Sequence, residues 1–276
     1  MSLTQDDILS SGYKLPAAPA DAWRNYDEEN PIPGYFQFDW LSSRHPDLYH
    51  KFALSTVGLM EKLHTLVDLT GCEVVDIGAG TGRSAEGVAK KAKEVFAVDL
   101  YESVAIFGKR RMQQAHITNV QYIIGDREHL PLPDNRVDVV INAWAELNPR
   151  EAWRVLRPGG TLIQLGAVPY ALCGELTSTL APDYPWVPKE CAPLEEFEPG
   201  YPDTHATADH SIWNGIPVLG PILLHAFTYV ADYQDYAELA SMTGRLYGPK
   251  AKHYFMSRKQ STFASRLQII IGQVSK

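Results

Sequence analysis

The chain has 276 residues, 45% of them hydrophobic and 21% charged, with a formal net charge of −8. Those proportions exclude a disordered or fibrous chain, and the length is ample for a core that needs no disulfide or metal staple. The acidic balance is the wrong sign for a protein whose whole surface holds nucleic acid.

At roughly 150 residues per domain, one large domain, or one with a substantial appendage, is expected. Cys72, Cys173 and Cys191 form no CxxC pair, which points to a reducing, cytoplasmic setting. The start shows no basic run followed by an apolar one, so no secretory leader is expected. Residues 1–45 read as an aromatic N-terminal cap segment, with Tyr13, Trp23, Tyr26, Tyr35, Phe36, Phe38 and Trp40. Residues 46–276 read as the main domain. From Pro46 to Leu69 apolar positions recur at helical spacing; Pro46 suits the first turn and Gly71 the stop.

An alternation of short β-branched runs and helical stretches follows. The spacing predicts strands at Glu73–Ile77, Glu94–Val98, Asn119–Ile124, Val137–Ile141 and Thr161–Leu165. Ala85, Val88, Ala89 and Ala92 mark a buried helix face, and further helices are expected at Glu102–His116 and Pro149–Leu156. Such alternation means βαβ units and a mostly parallel sheet with helices on both faces.

Residues 167–222 break the rhythm. Nine prolines and a run of acidic side chains make this an irregular insert, expected to act as a substrate lid. Ile212–Val230 is uncharged and of membrane length, but Pro217, Gly220 and Pro221 interrupt it, so a buried loop feeding a strand is expected and no membrane span. A strand at Leu223–Val230, helices at Asp232–Thr243 and Pro249–Gln260, and a strand at Arg266–Gln273 complete the chain.

The strongest local signal is Val74-Val75-Asp76-Ile77-Gly78-Ala79-Gly80-Thr81-Gly82-Arg83. An apolar strand ends in a glycine-rich turn that opens into a helix, whose first N–H groups have no partner within the helix. Such a turn also serves as a plain strand-to-helix connection. A dinucleotide site wants G-x-G-x-x-G, and here its third glycine is Arg83. Asp76 beside the turn suits an ammonium better than a pyrophosphate.

Asp99 follows Gly78 by 21 positions, where a carboxylate can accept both ribose hydroxyls. Asp126, in Gly125-Asp126-Arg127, is placed to accept an adenine amine, and Asn142 closes the fourth strand. All four polar residues are expected at strand C-termini, where ligands bind in open α/β sheets.

These residues, with Arg154-Val155-Leu156-Arg157-Pro158-Gly159-Gly160 before the fifth strand, resemble the class I S-adenosylmethionine-dependent methyltransferases from about Glu73 to Leu165. The resemblance implies a Rossmann-like, seven-stranded sheet with an antiparallel last strand. It implies that Asp76, Gly78, Ala79, Gly80 and Thr81 surround the methionine part of S-adenosylmethionine. Asp99 would hold the ribose and Leu100 pack on the adenine; Asp126 and the Arg127 backbone would bind the adenine edge. Asn142 and Ala143 would lie near the ammonium and the methyl, and Pro158-Gly159-Gly160 would be a turn.

The implied activity is methyl transfer to a small-molecule acceptor, leaving S-adenosylhomocysteine. A non-methylating adenosyl-binding protein and a tRNA or protein methyltransferase stand as alternatives. Asn142-Ala143-Trp144-Ala145 lacks the (Asn/Asp)-Pro-Pro-(Tyr/Phe) run of exocyclic-amine DNA methyltransferases, so nucleic acid is not the expected substrate. Positioning can supply most of the rate, so no catalytic residue is assigned. Trp144, Tyr170, His205, His210 and Tyr35 are the candidate substrate residues. His205 and His210 gain no third convincing ligand, so no metal is expected. The basic tail from Arg245 to Lys276 could touch an anionic partner, but balancing the acidic insert is the simpler role. The oligomeric state is left open.

Overall fold

The computed structural model describes residues 36–168, 171, 173–180, 193–213 and 215–276; Tyr35, Tyr170, Cys191 and most of the cap segment lie outside them. Three helices come first, α1 (Phe36–Arg44), α2 (Pro46–Phe52) and α3 (Ser55–Leu66). The single helix expected from Pro46 to Leu69 is therefore two. The break falls at Ala53-Leu54, where Leu54 N–H turns back to the Phe52 carbonyl at 2.8 Å and Ser55 opens a new helix.

The alternating region gives β1 (Glu73–Ile77), α4 (Arg83–Ala89), β2 (Glu94–Asp99), α5 (Glu102–Gln114), β3 (Val120–Ile124), β4 (Val137–Ala143), α6 (Pro149–Val155) and β5 (Leu156–Ala167). After it come α7 (Thr177–Leu180), β6 (Thr204–Ala208), β7 (Val218–Asp232), α8 (Tyr236–Tyr247), α9 (Pro249–Arg258) and β8 (Thr262–Val274).

The strands form one sheet in the order β3-β2-β1-β4-β5-β8-β7-β6. The first five pair in parallel, and β6 pairs with β7 antiparallel. The sheet has eight strands where seven were expected. The additional strand is β6, cut from the Pro-rich segment 167–222. Its sequence Thr204-His205-Ala206-Thr207-Ala208 carries no large apolar residue, so periodicity alone could not reveal it. The stretch Pro158-Gly159-Gly160, expected as a turn, lies inside β5. Gly159, at φ 75°, sits where the β4–β5 register shifts, as a bulge requires.

The chain divides into two compact units. The sheet unit comprises Thr56–Gly166, Asp203–Phe227 and Leu267–Lys276. Its core joins Val75, Ile77, Val98, Val140, Leu162 and Ile270 to Trp213, which is fully buried and donates its indole N–H to Gln164 Oε1 at 3.3 Å. At the N-terminal edge of the sheet Glu73 accepts from Lys93 at 3.1 Å, from Arg136 at 2.6 Å and from Arg157. These donors hold its carboxyl down at about 2.

The helical unit comprises the described residues of Met1–Ser55, Ala167–Pro202 and Thr228–Arg266. Its core contains Leu41, Leu176, Leu239, Leu246 and Phe255, with Phe38 and Trp40 packed against it. Phe38 lies 5.9 Å from Tyr247 and 6.3 Å from Phe52, so this aromatic pins α1 to that core. Asp235 caps α8 by accepting from Ala237 N at 2.8 Å, and Glu175 accepts from Ala264 N at 2.9 Å. Among the described residues no helix is long and apolar enough to cross a membrane.

Candidate functional site

β1 delivers the chain to a turn, Gly78–Gly82, before α4 begins at Arg83. Gly78 and Gly82 have φ of 71° and 85°, a region strained for any side chain. A Cβ on Gly78 would stand 2.5 Å from the Ala145 Cβ, and one on Gly82 would stand 2.1 Å from Tyr122 Oη. The turn's own packing therefore requires both glycines.

Asp76 is fully buried beside this turn. Its Oδ2 accepts from Ser84 Oγ at 2.5 Å, while Oδ1 is buried with no partner. Burial pushes its carboxyl up to about 7, opposed in part by the Ser84 hydroxyl and reinforced by Asp99.

Asp99, also buried, ends β2. Its Oδ2 accepts from Gly80 N at 2.8 Å and its Oδ1 from Tyr101 N at 2.9 Å. Burial raises its pKa and these backbone donors pull it back. Each oxygen keeps a lone pair for a further donor.

The registers Asp76↔Ala97 and Asp99↔Ile124 put both carboxylates on the same face of the sheet. Asn142 pairs with Ile77 and so lies on the opposite face. It is fully buried; its Nδ2 reaches the carbonyls of Ile77 and Glu146 at 3.4 Å each, and its Oδ1 has no partner. The C-terminal rim of the sheet thus holds a buried acceptor oxygen without a donor on each face. Such oxygens are costly unless a ligand or water brings N–H or O–H groups.

The remaining rim residues differ in burial. Ala79, Thr81 and Ala143 are buried, and Leu100 is half-buried. β3 stops at Ile124, two residues short of Asp126, which is exposed and accepts from Glu128 N at 3.0 Å. The Arg127 side chain pairs with Glu128 at 3.2 Å and with Glu146.

Two residues at this rim were not legible in the sequence. Ser84, the second residue of the following helix, is the donor that holds Asp76. Tyr122 fits its hydroxyl into a notch between Gly82 and Gly108, where a Cβ on either glycine would lie 2.1 Å away. That hydroxyl is buried without a partner, and burial with the nearby Asp76 and Asp99 charges raises its pKa far above the usual tyrosine value. Gly108 in mid-helix, a poor helix former, was the available sign of that notch.

Comparison with known proteins bears on this constellation. A family model described as "Methyltransferase domain" matches residues 75–164. The ubiquinone/menaquinone biosynthesis C-methyltransferase UbiE of Ectopseudomonas mendocina is 36% identical over 106 residues, 34% of this chain and 41% of that protein. The malonyl-[acyl-carrier protein] O-methyltransferase of Yersinia pestis is 36% identical over 111 residues, 36% of this chain and 40% of its own length. The chain therefore spans about two fifths of these relatives. A solved structure from Bacillus halodurans C-125, described as a candidate methyltransferase, shares the fold with a TM-score of 0.51 at 18% identity, covering 79% of this chain and 99% of that one.

Over residues 75–164 the chain is similar to the methyltransferase-domain family. The glycine turn, Asp76, Asp99 and Asn142 all fall within the matched stretch of that domain.

The candidate substrate residues fare differently. Trp144 lies directly after β4 and is 42% exposed. His205 lies on β6, four strand positions from β4, which is about 19 Å at the usual spacing. It meets His225 of β7, Nδ1 to Nδ1 at 2.7 Å, rather than His210, which begins the short 3-10 turn after β6. Tyr35 and Tyr170 lie outside the described residues.

Two cations of the basic tail are engaged internally: Lys276 Nζ donates to the Leu156 carbonyl at 2.7 Å, and the Arg258 guanidinium stacks 3.9 Å above the Tyr254 ring. An open cavity of about 390 Å3 lined by Pro249, His253, Tyr254 and Arg258 belongs to the helical unit and shares no residue with the rim.

Proposed function

We propose that the methyltransferase domain binds S-adenosylmethionine at the strand C-termini of its sheet and directs the methyl group to a small-molecule acceptor. The observation that carries this reading is the buried carboxylate pair, Asp76 and Asp99, flanking a glycine turn, with an orphaned oxygen on Asp76. A ligand for this rim must bring donors and positive charge. S-adenosylmethionine does so with two ribose hydroxyls and an ammonium. A pyrophosphate would instead set negative charge beside two carboxylates. The residues present therefore fit the group.

When bound, S-adenosylmethionine supplies a methyl group on a positively charged sulfur. The chain's own residues do the rest. Asp99 is pre-aimed by two backbone N–H groups, so little freedom is lost when it accepts from a ribose. The Asp76 carboxyl, near 7 without ligand, favours its charged form once an ammonium lies close. Asn142 offers its unpartnered Oδ1 at the end of β4. Asp126 and the Arg127 backbone are proposed for the adenine edge, and Leu100 for its face. Charge disperses as the methyl leaves, so placing the acceptor in line with water excluded matters more than an oxyanion hole.

Cytoplasmic residence is part of the proposal, supported by cysteine usage. A tRNA acceptor is disfavoured by the formal net charge of −8.

Calorimetry tests the reading. Asp99→Ala is expected to weaken S-adenosylmethionine binding at least tenfold, since two hydrogen bonds to a charged acceptor are lost. Unchanged affinity would sink the assignment. A non-methylating adenosyl-binding protein is separated by incubation with methyl-labelled S-adenosylmethionine and a metabolite extract, where only a methyltransferase moves the label into a product.

A further inference from the structure

Trp144 follows Asn142 by two residues and has a backbone φ of 64°. For a large side chain that region is an outlier, which glycine or asparagine would occupy with less strain. Three interactions hold the turn in this shape. Trp144 N–H donates to the Leu165 carbonyl at 3.0 Å. Asn142 Nδ2 reaches the Glu146 carbonyl at 3.4 Å. The Ala145 methyl occupies the space a Gly78 side chain would need, 2.5 Å from that imagined Cβ. None of these calls for an indole. Yet the strained position carries one, and 42% of its surface is exposed at the rim of the ligand site. Strain retained where an easier residue would serve points to function.

We propose that Trp144 is a wall of the acceptor site, and that the acceptor it selects carries a flat, unsaturated ring stacked on the indole. This rests on the reading that the rim holds S-adenosylmethionine. The neighbouring charges favour a ring over an ionic acceptor. Arg127, which reaches Glu146 two residues beyond Trp144, is already engaged by Glu128 and Glu146 and so is no free partner for a carboxylate acceptor. An indole face rewards a planar π system through offset stacking beyond the area it buries, whereas an aliphatic acceptor gains the area alone. The face can also attract a cation, so the sulfonium is the competing occupant that the test must separate.

The test uses the full chain saturated with S-adenosylhomocysteine and two probes of one skeleton, 2-naphthol and decahydro-2-naphthol, followed by saturation-transfer NMR and calorimetry. The aromatic probe is expected to bind at least tenfold more tightly to the native chain. Trp144→Phe keeps most of that preference, Trp144→Ala removes it, and S-adenosylhomocysteine affinity is unchanged in both. Trp144→Gly, which lacks the indole but relaxes the backbone, serves as a second deletion and gives the same loss. No ring preference in the native chain, or a preference that survives Trp144→Ala and Trp144→Gly, overturns the inference alone. So does a tenfold loss of S-adenosylmethionine affinity in Trp144→Ala with S-adenosylhomocysteine unaffected, because the indole then holds the sulfonium. Failure of the native chain to bind S-adenosylhomocysteine overturns the adenosyl reading and this inference with it.

Discussion

An L residue in the left-handed region costs about 1–2 kcal/mol, and Trp144 incurs that cost at a turn clamped from three sides. Comparing Trp144→Gly with Trp144→Ala isolates the strain, because both remove the indole and only glycine relaxes the backbone. The glycine variant is expected to be the more stable by about 1 kcal/mol, raising its melting temperature by about 2–4 °C over the alanine variant. Equal melting curves would mean that the turn is not strained. At this scale the sequence revealed the residues whose position carries meaning: Asp76, Asp99 and Asn142 stand at strand ends that their own β-branched runs announce. It did not reveal Ser84, Tyr122 or His225. Each matters through a partner brought near by folding, as His225 meets His205 across 20 residues of chain.

β1 carries two carboxylates with opposite behaviour, three residues apart. Glu73, at the N-terminal edge, is held near 2 by Arg157, Lys93 and Arg136. Its contribution to stability is present above the ordinary glutamate value of 4.5 and is lost as the pH falls towards 2. Asp76, at the C-terminal end, is raised to about 7 by burial. The folded state therefore holds a proton that the unfolded chain has released, and stability declines as the pH rises from about 4 to 7. The ligand-free chain is expected to show both limbs in urea midpoints measured against pH. Glu73→Gln removes the acid limb, and Asp76→Asn flattens the decline towards neutrality. If Asp76→Asn leaves that decline intact, Asp76 does not titrate in this range.

The elements themselves show what patterning can and cannot reveal. β1, β2 and β4 are nearly continuous apolar runs because helices cover both faces, and their bounds were legible to within two residues. The break between α2 and α3 was not, since Phe52 packs in the helical unit while Leu59, Met60 and Leu63 continue the same helical spacing in the sheet unit.

At the scale of the whole molecule, the parallel half of the sheet was legible from the βαβ rhythm, whereas of the far half the strands at Leu223–Val230 and Arg266–Gln273 were legible but β6 and the strand order were not. β8, from the last residues of the chain, inserts beside β5, and β7 and β6 follow outward. Nothing local in the sequence states that order. It has a consequence for the matched stretch, residues 75–164, which holds the glycine turn, Asp99 and Asn142. That stretch ends before the strand that covers β5. It also lacks Trp213, the largest fully buried side chain among the described residues, which packs so close to Gly272 that a Cβ there would lie 2.5 Å from the indole.

A fragment of residues 56–166 would expose the β5 edge and the apolar faces of Leu162 and Val140 that Trp213 and Ile270 belong with. It is expected to show no cooperative melt by circular dichroism and no S-adenosylmethionine binding, although every candidate cofactor residue is present. In the full chain, Trp213→Ala is expected to cost about 3–5 kcal/mol and to weaken binding only through unfolding, so that affinity measured well below the melting temperature stays near native. A fragment that melts cooperatively and binds like the full chain would show that the first five strands fold without the rest, and that β6 to β8 serve a purpose other than completing the sheet.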